Sequence, residues 1–320
     1  MSKVSNIPIF IPHLGCKNAC VFCNQREITG NLKEPEADEV RAIIEEYLTF
    51  LKDREAQIAF FGGSFTGLHL EKQTEYLKVA YEFVKNGKVS GIRLSTRPDY
   101  ISEEILENLK KYGVKTIELG AQSMCDEVLL ASERGHTADD TRRASEMIKN
   151  AGFELGLQMM IGLPGDTRER SVYTAQEIVK LGAACARIYP TCVLTDTKLY
   201  DMYKSGEYKP LGLSEAVETA KEVTLILRSG GVDVIRTGLQ ETDSLCGSIA
   251  AGPYHPAFGE MVQSRIIRDE LEEKVISMLP TKEMTLPCKK NMVSKTVGQK
   301  RCNIAYLEEK YGVKINITVI

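Results

Sequence analysis

Short apolar runs alternate with longer amphipathic stretches from the start of the chain to about residue 235, and this rhythm restricts the fold to repeated strand–helix units around a parallel sheet. Strand candidates fall at residues 7–11, 57–61, 91–95, 116–120, 154–161, 184–189 and 232–235. Helical periodicity fills the intervals at 37–52, 70–86, 102–112, 138–151, 167–182 and 214–229. Gly113, Gly152 and Gly182 follow apolar-periodic runs, where a left-handed residue ends a helix. Glycine-rich or polar loops follow three strands, at Gly62-Gly63-Ser64, Gly120-Ala121-Gln122-Ser123 and Gly162-Leu163-Pro164-Gly165. In barrels built this way, the loops after the strands carry the chemistry. Six or so units fall short of eight, so the expected class is α/β, a partial (βα)6 barrel over residues 1–240.

A hydrophobic fraction of 43% with 27% charged residues supplies a sizeable core and excludes a disordered chain. No run approaches the roughly 18 to 20 apolar residues of a membrane span, and the first residues do not read as a secretion signal. The expected location is therefore cytoplasmic, with no membrane partner. The net charge of −3 gives the chain as a whole no nucleic-acid signature. Nine cysteines, an odd number in a chain read as cytosolic, point to metal ligation and not to a disulfide framework.

Past residue 236 the rhythm changes. Residues 251–259 are rich in turn formers, and 261–279 reads as a helix. A small α+β unit follows within 241–320, with a weak strand at 284–288, a helix at 300–311 and an alternating strand at 313–320. Between residues 281 and 303 six basic residues, Lys282, Lys289, Lys290, Lys295, Lys300 and Arg301, face Glu283 alone, a local +5. This stretch is either a phosphate-binding surface or a solvated turn, and no aromatic stacking platform is interleaved with its lysines.

The sharpest chemical signal is Cys16-Lys-Asn-Ala-Cys20-Val-Phe-Cys23, in the loop after the first strand. Three thiolates from one short loop can hold three irons of a 4Fe–4S cube and leave the fourth iron open to a small molecule. A structural zinc site needs a fourth ligand, and His13 is placed to supply one. Cys125, Cys185, Cys192, Cys246, Cys288 and Cys302 lack ligand spacing, and most of them read as small buried hydrophobes. Glu118 alternates with Ile117 and Leu119, so its carboxylate points into the barrel, as a functional group or in a structural salt bridge.

The cysteine spacing, with Phe22 directly before the last thiol, resembles the signature of the radical SAM superfamily. The resemblance implies a 4Fe–4S cluster on Cys16, Cys20 and Cys23 that binds S-adenosylmethionine (SAM) and cleaves it reductively to a 5'-deoxyadenosyl radical. It further implies that Gly62, Gly63 and Ser64 meet the methionine amino group, with Ser64 where the family places an acidic residue. Glu118 and Gln122 would approach the ribose and reactive end. Arg134 resembles an arginine that clamps the methionine carboxylate in the coproporphyrinogen oxidase branch, and Ile161 resembles an adenine contact. Gln158 stands where that branch has an aspartate.

Within the superfamily, Leu94-Ser95-Thr96-Arg97-Pro98-Asp99-Tyr100, Gly135-His136-Thr137, Met159-Met160-Ile161-Gly162-Leu163-Pro164-Gly165 and Ile188-Tyr189-Pro190-Thr191 resemble the radical SAM core of the Elongator catalytic subunit over residues 7–240. About 80 residues follow, too few for that subunit's acetyltransferase domain, so acetyl-CoA chemistry is not expected. The implied activity is hydrogen abstraction in RNA or tRNA modification. The implied partners are an electron donor such as flavodoxin or ferredoxin, and RNA or tRNA on the basic C-terminal stretch. A coproporphyrinogen-oxidase-like enzyme acting on a tetrapyrrole or other small molecule, and a non-catalytic metal-binding RNA-interaction protein, are the competing readings. Arg97 and Asp99 are either ligand contacts or an ion pair at a turn. His136, His255, Tyr189 and Tyr254 are polar candidates without an assigned role.

Overall fold

The computed structural model describes residues 4–11, 16, 20–24, 35–51, 55–239 and 247–320. Its strands are β1 (Ser5–Ile11), β2 (Ala56–Gly62), β3 (Gly91–Thr96), β4 (Val114–Gln122), β5 (Glu154–Ile161), β6 (Cys185–Pro190), β7 (Val193–Leu194), β8 (Asp233–Thr237), β9 (Ile249–Ala251), β10 (Glu283–Cys288) and β11 (Lys314–Val319). β1 to β6 and then β8 form one seven-stranded sheet in chain order, every neighbouring pair parallel. This is the curled half-barrel that strand–helix alternation implies, with β1 and β8 at its two edges.

Strand periodicity sorts the side chains. Ile7, Ile9 and Ile11 of β1, Ile58 and Phe60 of β2, Ile92 and Leu94 of β3, Ile117 and Leu119 of β4, and Leu157 and Met159 of β5 are buried in the main core with residues of the surrounding helices. The residues of opposite parity, including Phe10, Phe61, Ser95, Gln122, Gln158, Met160, Arg187 and Tyr189, line a cavity of about 290 Å³ in the lumen, together with Arg236 of β8. Loop glycines then close the units where expected: Gly113, Gly152 and Gly182 have φ of 71°, 87° and 70° after their helices.

A second, smaller core is built from Leu271, Val275, Met284, Leu286, Ile304, Leu307, Val313 and Ile315. It lies under the parallel pair β10–β11, in register from Glu283↔Lys314 to Cys288↔Val319. The Phe258–Met278 helix joins the two cores, giving Val262 and Ile266 to the first and Leu271 and Val275 to the second. The last helix begins at Cys302 and not at residue 300, because Lys300 and Arg301 adopt left-handed φ of 51° and 62°. The short antiparallel ribbon of β7 and β9 has no counterpart in the sequence reading.

Leu307 has no exposed surface. Leu307→Ala is expected to cost about 2–5 kcal/mol of stability in the C-terminal unit. Denaturant unfolding followed by a probe in that unit measures the loss.

Candidate functional site

The cysteine loop is anchored where β1 ends. Val21 N–H donates to the Ser132 carbonyl at 3.2 Å, the Val21 carbonyl accepts from Leu199 N–H at 2.8 Å, and Asn24 Nδ2 donates to the Thr195 carbonyl at 3.0 Å. Val21 packs with Val193, Leu199 and Tyr208, with Phe22 against them. The β7 segment and the helix after it therefore hold the loop from the side opposite β1.

The thiols face two arginines. Arg134 Nη1 lies 3.2 Å and Arg97 Nη1 3.9 Å from Cys20 Sγ, and all three residues are buried. Arg134 Nη2 also donates to the Gly120 carbonyl at 2.7 Å, which ties the loop arginine to the end of β4. Arg97 forms a two-pronged pair with Asp99, at 2.9 and 3.0 Å, and donates to the Arg134 carbonyl. The residue is thus both the turn ion pair and a neighbour of the cluster loop. Cys16 Sγ donates to Ser64 Oγ at 3.4 Å, and Gly63 N–H donates to the Ile11 carbonyl at 2.8 Å, so the Gly62-Gly63-Ser64 segment sits against the thiols.

Burial first, then the charges of Cys20 and Cys16, push the Cys23 thiol up to about 12, with Arg134 opposing. Three sulfurs that repel one another as thiolates beside two guanidiniums are a donor set that a cationic iron cluster would satisfy. Among the described residues no three His, Cys, Asp or Glu side chains close on one point as a single-ion site requires. A cube is different, since each cysteine takes its own iron. His13, the expected fourth zinc ligand, lies outside the described residues, as does Cys246.

Gln122 ends β4 in a left-handed conformation, φ 64°, at a register shift against β5. Its Oε1 is buried and lacks a partner among the described residues. A non-glycine residue held in this region stores of the order of 1 kcal/mol of strain or more, and it points an amide into the lumen. Burial, then the charges of Arg134 and Arg97, push His136 down to about 4, so its imidazole is neutral near pH 7 and donates from Nε2 to the Ala121 carbonyl at 3.3 Å. His255 Nδ1 accepts from Ala257 N–H at 3.0 Å, a local turn contact.

Glu118 is 1% exposed, and its carboxylate is saturated. Arg187 donates from Nε at 2.5 Å and Nη2 at 3.1 Å, Arg93 Nη2 lies at 2.8 Å, and Gln158 Nε2 donates at 3.2 Å. Burial alone would raise the Glu118 pKa; the Arg187 hydrogen bonds and the charges of Arg187 and Arg93 outweigh it and hold the acid below its usual range. The network occupies the lumen floor and links β3, β4, β5 and β6. Neither arginine was singled out from the sequence, although Arg93 between Ile92 and Leu94, and Arg187 between Ala186 and Ile188, carry the same alternation signal as Glu118.

Ile161 is fully buried in the main core, with the parity of Leu157 and Met159, and Met160 lines the cavity in its place. Of the cysteines read as small hydrophobes, Cys185, Cys192 and Cys288 are buried, whereas Cys125 is half-buried and Cys302 is exposed.

Glu118→Ala leaves two buried guanidiniums uncompensated and is expected to cost about 3–5 kcal/mol, read from denaturant midpoints. Because the folded pKa is depressed, the stability this acid contributes is complete above its ordinary 4.5 and is lost as pH falls through the lower folded value. The gap between wild type and Glu118→Ala is therefore expected to narrow in acid.

The model of the radical SAM superfamily matches residues 10–178, just over half of the chain, and that of the radical SAM C-terminal domain matches 183–268. The tRNA uridine(34) acetyltransferase of Methanocaldococcus jannaschii is 27% identical over 240 residues, covering 69% of this chain and 44% of that protein. Elongator complex protein 3 of Dictyostelium discoideum is 27% identical over 257 residues, 68% of this chain and 46% of its own. The chain thus spans slightly under half the length of these relatives. The solved structure of Elp3 from the archaeon Methanocaldococcus infernus superposes with a TM-score of 0.66 at 25% identity, covering 85% of this chain and 64% of that one. Coproporphyrinogen III oxidase of Escherichia coli, at 14% identity and a TM-score of 0.51, shares the fold. No described helix is long and apolar enough to cross a membrane. A half-barrel with its thiol loop after the first strand, and family matches that run from that strand through most of the sheet, place the chain in the radical SAM superfamily.

Proposed function

We propose that the chain is an Elongator-like radical SAM enzyme that abstracts hydrogen from a nucleoside in tRNA. The observation that carries this reading is that Cys16 and Cys20 lie within electrostatic reach of Cys23, with Arg134 and Arg97 against the Cys20 sulfur. Enzymes of the superfamily bind a 4Fe–4S cluster and SAM. What this cofactor pair supplies when bound is reductive cleavage of SAM to a 5'-deoxyadenosyl radical.

The chain's own residues do the rest. The three cysteines hold the cluster, and the guanidinium N–H groups of Arg134 and Arg97 offset charge on the Cys20 sulfur. Gly62, Gly63 and Ser64 receive the methionine amino group, and Arg134 takes its carboxylate. Gln122 turns its amide to the ribose. Met160, from the lumen face of β5, takes the adenine wall in place of Ile161. Glu118 keeps the floor polar and fixed through its arginines. Phe10, Phe22 and Phe61 exclude water from the space above.

The tRNA part rests on the named activity of the relatives and on the exposed Lys289, Lys290 and Lys300 of the C-terminal unit. In this reading residues 1–240 form the catalytic core, residues 241–320 engage the substrate, and a flavodoxin- or ferredoxin-type protein delivers the electron.

Iron-reconstituted protein given SAM, dithionite and bulk tRNA without oxygen is expected to form 5'-deoxyadenosine and a new nucleoside. No deoxyadenosine from protein with a full cluster would end the proposal. Cys16→Ala, Cys20→Ala and Cys23→Ala should each lose the cluster's visible absorption together with this activity. Replacing Lys289, Lys290, Lys295 and Lys300 by Gln is expected to lower the salt slope of tRNA binding by roughly 3 to 4.

A further inference from the structure

Among the described residues the lumen holds more positive charge than its one carboxylate, Glu118, can balance. Glu118 is shared between Arg93, at 2.8 Å, and Arg187, at 2.5 Å. Arg187 also stacks over the Phe61 ring, 5.0 Å from its centroid, and is therefore fixed. A third guanidinium, Arg236 on β8, stands opposite Arg187 in the β6–β8 register and lines the same cavity. Sequence parity alone would not place it there: Val234 packs on the main core, and Arg236, two residues on, reaches the lumen because it falls past the register shift between Ala186 and Arg187. Among the described residues Arg236 makes no hydrogen bond and no ion pair, and no Asp or Glu lines the cavity. Its neighbour in the cavity wall is the phenol of Tyr189, half-buried and within electrostatic reach of both Arg187 and Arg236.

A half-buried guanidinium without a carboxylate, next to a phenol, in a pocket already one charge in excess, is the arrangement that takes an anionic oxygen group. The residues assigned to the cofactor, Gly62, Gln122, Met160 and the thiol loop, come from β1, β2, β4 and β5. Arg236 and Tyr189 come from β8 and β6, the other flank of the sheet. We propose that Arg236, with Tyr189 beside it, is a substrate anchor that binds a nucleotide phosphate in the lumen. The assignment rests on the reading of a nucleoside substrate given above and names the group that holds it.

The test measures binding to the full, reconstituted chain by calorimetry with SAM present, using uridine 5'-monophosphate, uridine and an anticodon stem-loop RNA as probes. Wild type is expected to prefer the monophosphate over uridine by about 10- to 100-fold, the usual worth of a charge-assisted hydrogen bond. Arg236→Gln should abolish that preference, and Arg236→Lys should restore part of it with a melting temperature equal to wild type. If the phosphate belongs to RNA, the stem-loop weakens in Arg236→Gln as well; if it belongs to a free nucleotide, only the monophosphate does. Equal affinities for monophosphate and uridine in wild type, or an unchanged preference in Arg236→Gln, would overturn the anchor. So would a loss confined to SAM affinity, which would give Arg236 to the cofactor. SAM cleavage by wild type is read separately: its absence defeats the enzyme reading, whereas its presence with an unchanged Arg236→Gln preference defeats the anchor alone.

Discussion

A carboxylate in the middle of a half-barrel must be paid for in charge, and Glu118 draws it from two neighbouring arginines on β3 and β6. Desolvating an isolated ionised acid costs more than a domain can spare, so the strands on either side have to bring cations to the same depth. This requirement fixes the registers of β3, β4 and β6, because a one-residue slip would turn any of the three charged side chains into the helix-side core. The polar floor in turn permits a lumen that is not filled by interdigitated aliphatic side chains as closed barrels are. Beneath the cavity this charge is fixed but only partly compensated, one carboxylate standing between two guanidiniums.

The same bookkeeping governs the cysteine loop, with opposite sign. Cys20, Cys16 and burial all disfavour a thiolate at Cys23, and only Arg134 favours it. Arg134 is held by Gly120 of β4 and by Arg97, and Arg97 is neutralised by Asp99. The loop is thus wired to the ends of β3 and β4 by hydrogen bonds that do not require the loop's own backbone to be regular. Arg97, which reads in sequence as either a ligand contact or a turn ion pair, satisfies both descriptions because its planar guanidinium has five donors to distribute.

Much of this was legible in the sequence. Strand–helix alternation predicts the sheet, its chain-order topology and the seventh strand, and the three thiols announce their loop, since both signals are local. Ile161 shows where locality fails. Glu154, Gly156 and Gln158 alternate with Leu155, Leu157 and Met159, but β5 ends in the unbroken apolar run Met159-Met160-Ile161, where no local contrast marks which side chain faces the lumen. Gln158 was the available clue: counting in twos from it selects Met160 and rejects Ile161. Arg93 and Arg187 were equally visible as single charges in their strands, and Arg236 as a charge in β8, but their convergence depends on the curl of the sheet, which no single strand encodes. The β7–β9 ribbon is invisible for the opposite reason, being two or three residues per strand and defined wholly by tertiary contact.

The Phe258–Met278 helix decides how the two cores act on one another. A flexible linker would let the C-terminal unit sample many orientations and would dilute any substrate it held. Here one continuous helix contributes Val262 and Ile266 to the barrel core and Leu271 and Val275 to the second, the nearest of them about one and a half turns apart. Asn303 fastens the last helix of the unit to Ser264 through Nδ2, at 3.0 Å to its carbonyl and 2.9 Å to its hydroxyl, within the stretch that packs on the barrel core. Movement of the basic surface relative to the lumen therefore requires bending this helix or breaking buried contacts at its centre. Under the proposed function, a substrate held by the C-terminal unit would be presented to the barrel at a distance set by side-chain packing, which is the geometric condition for delivering one atom of a large molecule to a confined site.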